Sequence, residues 1–134
     1  SGVYTLQSGP ALDWGQVIYD GGDLKYNAQG VEGAFDTTRF NRNSAQQPSL
    51  NRRTFPTRFG NLRVDAMNNW DLAVAKNIPL RERLRLQYRC DFFNALNHPQ
   101  FAAPNLSPTS AAFSTITSQH NEPRIIQMAL RLFW

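Results

Sequence analysis

The chain has 134 residues, a formal net charge of +4 and 41% hydrophobic residues. That length suffices for one ordinary domain, and the longest apolar run, Leu72-Ala73-Val74-Ala75, is far too short for a membrane helix. The charge would permit contact with nucleic acid, but only Arg52-Arg53 and the 81–89 stretch approach a basic cluster, and interspersed Asp13, Asp20, Asp23, Asp71, Glu82 and Asp91 argue against a nucleic-acid partner.

The chain opens mid-pattern, Ser1-Gly2-Val3-Tyr4-Thr5-Leu6, as expected of a cut in a longer polypeptide. Residues 2–7 alternate weakly and predict a strand. From Ser8 to Asn69 the composition turns to Gly, Asn, Asp, Gln, Ser and Pro, which predicts a long loop, 8–69. Within it, Asp20-Gly21-Gly22-Asp23 between Val17-Ile18-Tyr19 and Leu24-Lys25-Tyr26 predicts a short hairpin. Residues 41–49 have no periodicity.

Order returns at 70–76, where Trp70, Leu72 and Val74 oppose Asp71, Ala73 and Ala75. A short connection, 77–82, is expected next because Pro79 cannot continue a ladder. The strand 83–93 carries the cleanest alternation: Leu84, Leu86, Tyr88, Cys90 and Phe92 against Arg85, Gln87, Arg89, Asp91 and Phe93. Helical spacing would scatter these apolar residues around an axis. Cys90, the lone cysteine, falls on the apolar side and is expected to act as a small hydrophobe. A second long loop, 95–123, leads into a last strand, 124–134. There Ile126, Met128, Leu130, Leu132 and Trp134 share one face, and Ile125, Gln127, Ala129, Arg131 and Phe133 the other.

These features predict an all-β fold: an antiparallel meander forming about the last four strands of a large transmembrane β-barrel with long outer loops, the whole of 1–134 being its C-terminal part. About 9–11 residues is the length of a tilted strand that crosses a bilayer, and connections that alternate long, short, long match barrels with short periplasmic turns. With Trp134 at the periplasm, the strand from Leu84 runs outward and the strand from Trp70 inward. Asp71, Arg85, Gln87, Arg89, Asp91, Gln127 and Arg131 are then expected to face the lumen. Leu84, Leu86, Tyr88, Phe92, Ile126, Met128, Leu130 and Leu132 are expected to face lipid, where an Arg would cost roughly 2–4 kcal/mol at mid-bilayer. Trp70, Phe92 and Trp134 lie near strand ends, where aromatic girdles belong.

Several segments resemble the C-terminal end of Oar-like TonB-dependent outer-membrane receptors. They are Tyr4-Thr5-Leu6-Gln7-Ser8-Gly9-Pro10, Arg53-Thr54-Phe55-Pro56-Thr57-Arg58-Phe59-Gly60-Asn61-Leu62-Arg63, Asn68-Asn69-Trp70-Asp71-Leu72, Lys76-Asn77, Glu82-Arg83-Leu84-Arg85-Leu86-Gln87 and the terminal strand. The most specific is Phe92-Phe93-Asn94-Ala95-Leu96-Asn97-His98-Pro99-Gln100-Phe101. The resemblance implies a bacterial outer-membrane location and a barrel of typically twenty-two strands. It also implies partners: the rest of the barrel, a plug domain, a TonB-type energy-coupling protein reached through an N-terminal part, the barrel-assembly machinery and the lipid bilayer. In such receptors a terminal aromatic preceded by alternate apolar residues resembles an assembly signal, which Met128, Leu130, Leu132 and Trp134 match, with Trp in place of the commoner Phe.

No catalytic constellation stands out, so no enzyme activity, cofactor or metal is expected. His98 and His120 lack neighbouring ligand patterns, no nucleophile context surrounds a serine, and Gly21-Gly22 and Gly30 precede no strand-to-helix transition that would cradle phosphate. Asp71 and Asp91, near Arg85 and Arg89, suggest a lumenal charge network. The expected function is ligand binding and energy-coupled uptake. Two alternatives are a soluble all-β carbohydrate-binding module using exposed Trp14, Tyr19 and Tyr26, and an outer-membrane barrel serving adhesion or surface assembly without transport.

Overall fold

Period-two alternation on residues with strand propensity yields pleated ribbons, and antiparallel pairing aligns their like faces. A computed structural model of the chain describes residues 1–48 and 58–134, with the backbone alone at 58–60. The Arg52-Arg53 pair and the Arg53–Thr57 part of the resemblance lie outside the described residues. Among the described residues six strands form two antiparallel sheets, and the chain divides into two units.

The first unit comprises residues 1–7, 67–99 and 121–134. Its sheet has the order β1 (Gly2–Gln7), β4 (Met67–Arg81), β5 (Leu84–Phe93), β6 (Ile125–Phe133). The fold is all-β and antiparallel, and the sheet is open, with β1 and β6 at its edges. β4 is 15 residues long and runs through the expected 77–82 connection, leaving Glu82-Arg83 as the turn. Pro79 does not end the strand: it pairs in register with Arg85, next to an irregularity between Pro79 and Arg81. A proline is tolerated beside a bulge, where the ladder is already interrupted. Neither Glu82 nor Arg83 has a positive φ, so the turn lacks the conformation that best matches strand twist, and the extra residue beside it absorbs the mismatch.

The second unit comprises residues 8–66 and 100–120, most of what composition suggests to be irregular loop. It has a core of its own: Leu12, Trp14, Val17, Ala34, Phe35, Phe40, Leu62, Val64, Phe113 and Ile116 are buried together. Trp14 lies at its centre with 0% exposure, stacked on Phe40 at 5.5 Å and tilted against Phe35 at 5.2 Å. Phe113 meets both phenylalanines edge-on, at 5.1 and 5.2 Å, geometries the ring quadrupoles favour. Arg42 clamps the two chain segments, donating to the carbonyls of Pro108 and Ser110 with its guanidinium 5.8 Å from the Phe113 ring.

Within this unit β2 (Ala11–Asp13) pairs with β3 (Arg58–Arg63). Gly9 lets the chain pass against β3, since a Cβ there would collide with the Val64 carbonyl. The expected 17–26 hairpin does not form. Tyr19 bridges to Phe40 and Tyr26 to Phe35, so the ribbon reverses between Tyr26 and Phe35 instead. Gly21 and Gly22, at φ 89° and 95°, kink one arm, and their carbonyls accept from Arg39 and from the Tyr19 hydroxyl at 3.0 Å each. The aromatic pairs across the ribbon outweigh the local turn preference. Ser44–Gln46 forms a short 3-10 turn capped by the Asn43 side chain.

Candidate functional site

The candidate site is the four-stranded sheet, whose two sides differ in chemistry. Register fixes the sides, because directly opposed residues share a face. One side carries the rungs Leu72–Phe92–Ile126, Val74–Cys90–Met128, Lys76–Tyr88–Leu130 and Ile78–Leu86–Leu132. Toward β1 it continues with Tyr4 opposite Trp70, rings stacked at 4.5 Å. Leu84 lies on the same side at the turn end. The side is mostly open: Met128 and Leu130 are 67% and 68% exposed. Apolar area of this extent costs about 25 cal/mol per Å² in water, so an uncovered face requires an apolar medium or partner.

The opposite side carries Ala73–Asp91–Gln127, Ala75–Arg89–Ala129, Asn77–Gln87–Arg131 and Pro79–Arg85–Phe133, with Asp71 beyond them opposite Val3. Its polar groups bond to one another. Arg89 donates Nε to both carboxylate oxygens of Asp91, at 2.8 and 3.0 Å. Gln87 donates to Asn77 at 3.0 Å, and Asn69 to Asp71 at 3.0 Å. The register therefore brings the residues expected to face the lumen onto one side, and those expected to face lipid onto the other. Cys90 is buried on the apolar side.

Alternation missed two cations on the apolar side, Lys76 and Arg81. Carrying the period-two count Trp70, Leu72, Val74 to the last residue of the expected strand finds Lys76. Arg81 needs the bulge, which turns it opposite Leu84.

The Phe-Phe-Asn…Asn-His-Pro segment builds the far end of β5. Asn94 and Asn97 adopt left-handed backbone, φ 49° and 52°, which asparagine tolerates better than most residues. The Asn94 side chain is buried; it accepts from the His98 amide and donates to the carbonyls of His98 and Glu122. Asn121 also donates to the His98 carbonyl, Asn97 accepts from the Arg124 amide, and Asp71 accepts from the Asn94 amide. His98 enters this network through its backbone alone, and the exposed His120 bonds through its amide to Gln100. Among the described residues no cluster of three or more His, Cys, Asp or Glu could hold a metal.

Trp14, expected as an exposed platform for a carbohydrate, is inside the aromatic core and cannot stack on a ligand. A buried tryptophan in a run of Gly and Asp carries no periodic signal, and its ring partners Phe35 and Phe40 lie more than twenty positions along the chain.

An antiparallel sheet with one predominantly apolar side, one hydrogen-bonded polar side and aromatic residues toward its margins defines the wall of an outer-membrane β-barrel. A family model described as "Outer membrane beta barrel domain" matches residues 1–127. The chain belongs to that family and is a protein of the bacterial outer membrane. No curated protein and no solved structure matches the chain.

Proposed function

We propose that the chain forms part of an energy-coupled uptake receptor of the TonB-dependent, Oar-like type. The observation that carries this reading is the polar side of the sheet, where Asp71, Arg85, Gln87, Arg89, Asp91, Gln127 and Arg131 share one face. In a barrel wall this side lines the lumen, where it contacts a passing ligand or a plug, and the side with Leu86, Met128 and Leu130 meets lipid. The resemblance of the Phe92–Phe101 segment supports the receptor type. The turn at Glu82-Arg83 and Trp134 lie at the periplasmic end, and residues 8–69 and 95–123 contribute to the outer, ligand-receiving face. Met128, Leu130, Leu132 and Trp134 serve as the assembly signal. The role is binding and transport, not catalysis.

The test uses the complete protein in its own outer membrane, with Cys90→Ala as background and Gln127→Cys as a lumenal probe. Labelling by a membrane-impermeant thiol reagent should accelerate when the inner membrane is energised and slow with an uncoupler. Energy-independent labelling would mean a barrel without coupled transport, as in adhesion.

A further inference from the structure

We propose that Lys76 and Arg81 form a binding site for the phosphate of an anionic phospholipid on the apolar side of the sheet. Lys76 stands on the rung of Tyr88 and Leu130, with Val74–Cys90–Met128 on one side and Ile78–Leu86–Leu132 on the other. It is exposed, a cation on an otherwise apolar surface. Arg81 is exposed opposite Leu84 and returns to this face because the bulge adds a residue to β4. The ion pair between Arg89 and Asp91 lies on the other face, and among the described residues no carboxylate pairs with Lys76 or Arg81. Glu82 and Arg83, in the turn beside them, offset one another in charge.

The inference rests on the lipid-facing assignment proposed above. A cation on that surface costs roughly 2–4 kcal/mol at the midplane and about 0–1 near the interface, so its tolerance depends on reaching an anion. Lys76 and Arg81 are five positions apart, but the bulge makes this four rungs of the ladder, about 13 Å at roughly 3.3 Å per residue. Side chains built of bonds of about 1.5 Å reach roughly 6 Å each. Turned toward one another, their charged ends both come within reach of a single phosphate group. Lysine and arginine stems lie readily along apolar surface while their charged ends reach the interface, here beside the Tyr88 ring. The site is a cationic pair across one apolar rung, which matches a phosphodiester whose acyl chains lie on Leu86 and Leu132.

The complete protein, extracted in dodecyl maltoside, is examined by native mass spectrometry with added phosphatidylglycerol or phosphatidylcholine. The unaltered protein should retain phosphatidylglycerol, and Lys76→Met combined with Arg81→Gln should reduce that retention about tenfold, about 1.4 kcal/mol. Phosphatidylcholine retention should not change. Arg81→Gln alone, at the exposed turn, should give a smaller loss and keeps the test available if the double variant does not fold. Equal phosphatidylglycerol retention by the unaltered protein and the variants would overturn the proposal. So would a variant barrel that is destabilised with retention unchanged, which would assign the cations to a protein carboxylate. A photocrosslinking residue at position 130 reads the face separately. Acyl-chain adducts there with no effect of the variants would overturn this inference alone, and crosslinks to protein in their place would overturn the lipid-facing assignment as well.

Discussion

Asn94 donates through Nδ2 to the backbone carbonyl of Glu122, 3.0 Å away, although 28 positions of chain separate them. The same side chain holds the His98 amide at 2.9 Å. One buried carboxamide therefore ties the start of the β5–β6 connection to its end. Removing it leaves part-buried partners short of a hydrogen bond, at about 1–3 kcal/mol, and sets a less tolerant residue at positive φ. Asn94→Ala should cost about 2–4 kcal/mol, measured by urea unfolding of the barrel in detergent. Asn94→Gly keeps the backbone freedom and should cost less, which separates strain from lost hydrogen bonds.

Ser114 plays a comparable part in the second unit. It is 2% exposed at φ 74°, accepts from the Phe35 amide at 2.8 Å and donates to the Phe35 carbonyl at 2.7 Å. Ser114→Ala should cost about 2–3 kcal/mol by orphaning both backbone groups. Hydrogen exchange should accelerate at residues 34–40 and 112–116 and stay unchanged in β5.

The faces of the sheet should respond unequally to the same charge. Leu130→Arg should destabilise the barrel by roughly 2–4 kcal/mol if the position is near mid-bilayer, and Gln127→Arg should change it by less than about 1 kcal/mol. Folding titrations in phospholipid vesicles measure both. Equal costs would remove the assignment of one side to lipid.

Tyr26 provides a pH signature. Burial pushes its phenol up to about 12, and the negative charge of Asp65 adds to the effect. The folded state holds this proton more tightly than the unfolded chain, whose tyrosines titrate near 10. The stabilisation is therefore complete below about pH 10 and is lost as pH rises toward about 12. Alkaline unfolding of the second unit should show this loss in the native protein, and Tyr26→Phe should remove it.

The wall was legible in the sequence because pleating converts position parity directly into face. Leu84 to Phe92 and Ile126 to Leu132 needed only a count by two. Arg81 was hidden behind Pro79, which signals a break in isolation but is accommodated beside a bulge; Lys76 closes the expected strand and falls to the same count by two. The second unit was less legible. Trp14, Phe35, Phe40 and Phe113 form a core by contacts across long sequence distances, with no local period to announce it. Gly21-Gly22 misled because turn chemistry is local, whereas the Tyr19–Phe40 and Tyr26–Phe35 bridges are not. The asparagines of the Asn94–Asn97 segment could have been singled out by their tolerance of left-handed backbone.

The Glu82-Arg83 turn also bears on the order in which the wall assembles. A two-residue loop brings β4 and β5 together within microseconds, whereas β6 must close a connection about fifteenfold longer, an entropic difference of about 2.4 kcal/mol. Fixing His98 and Glu122 to a single side chain shortens the effective loop that β6 has to close. The hairpin is therefore the early template, and the last strand joins an edge already in place.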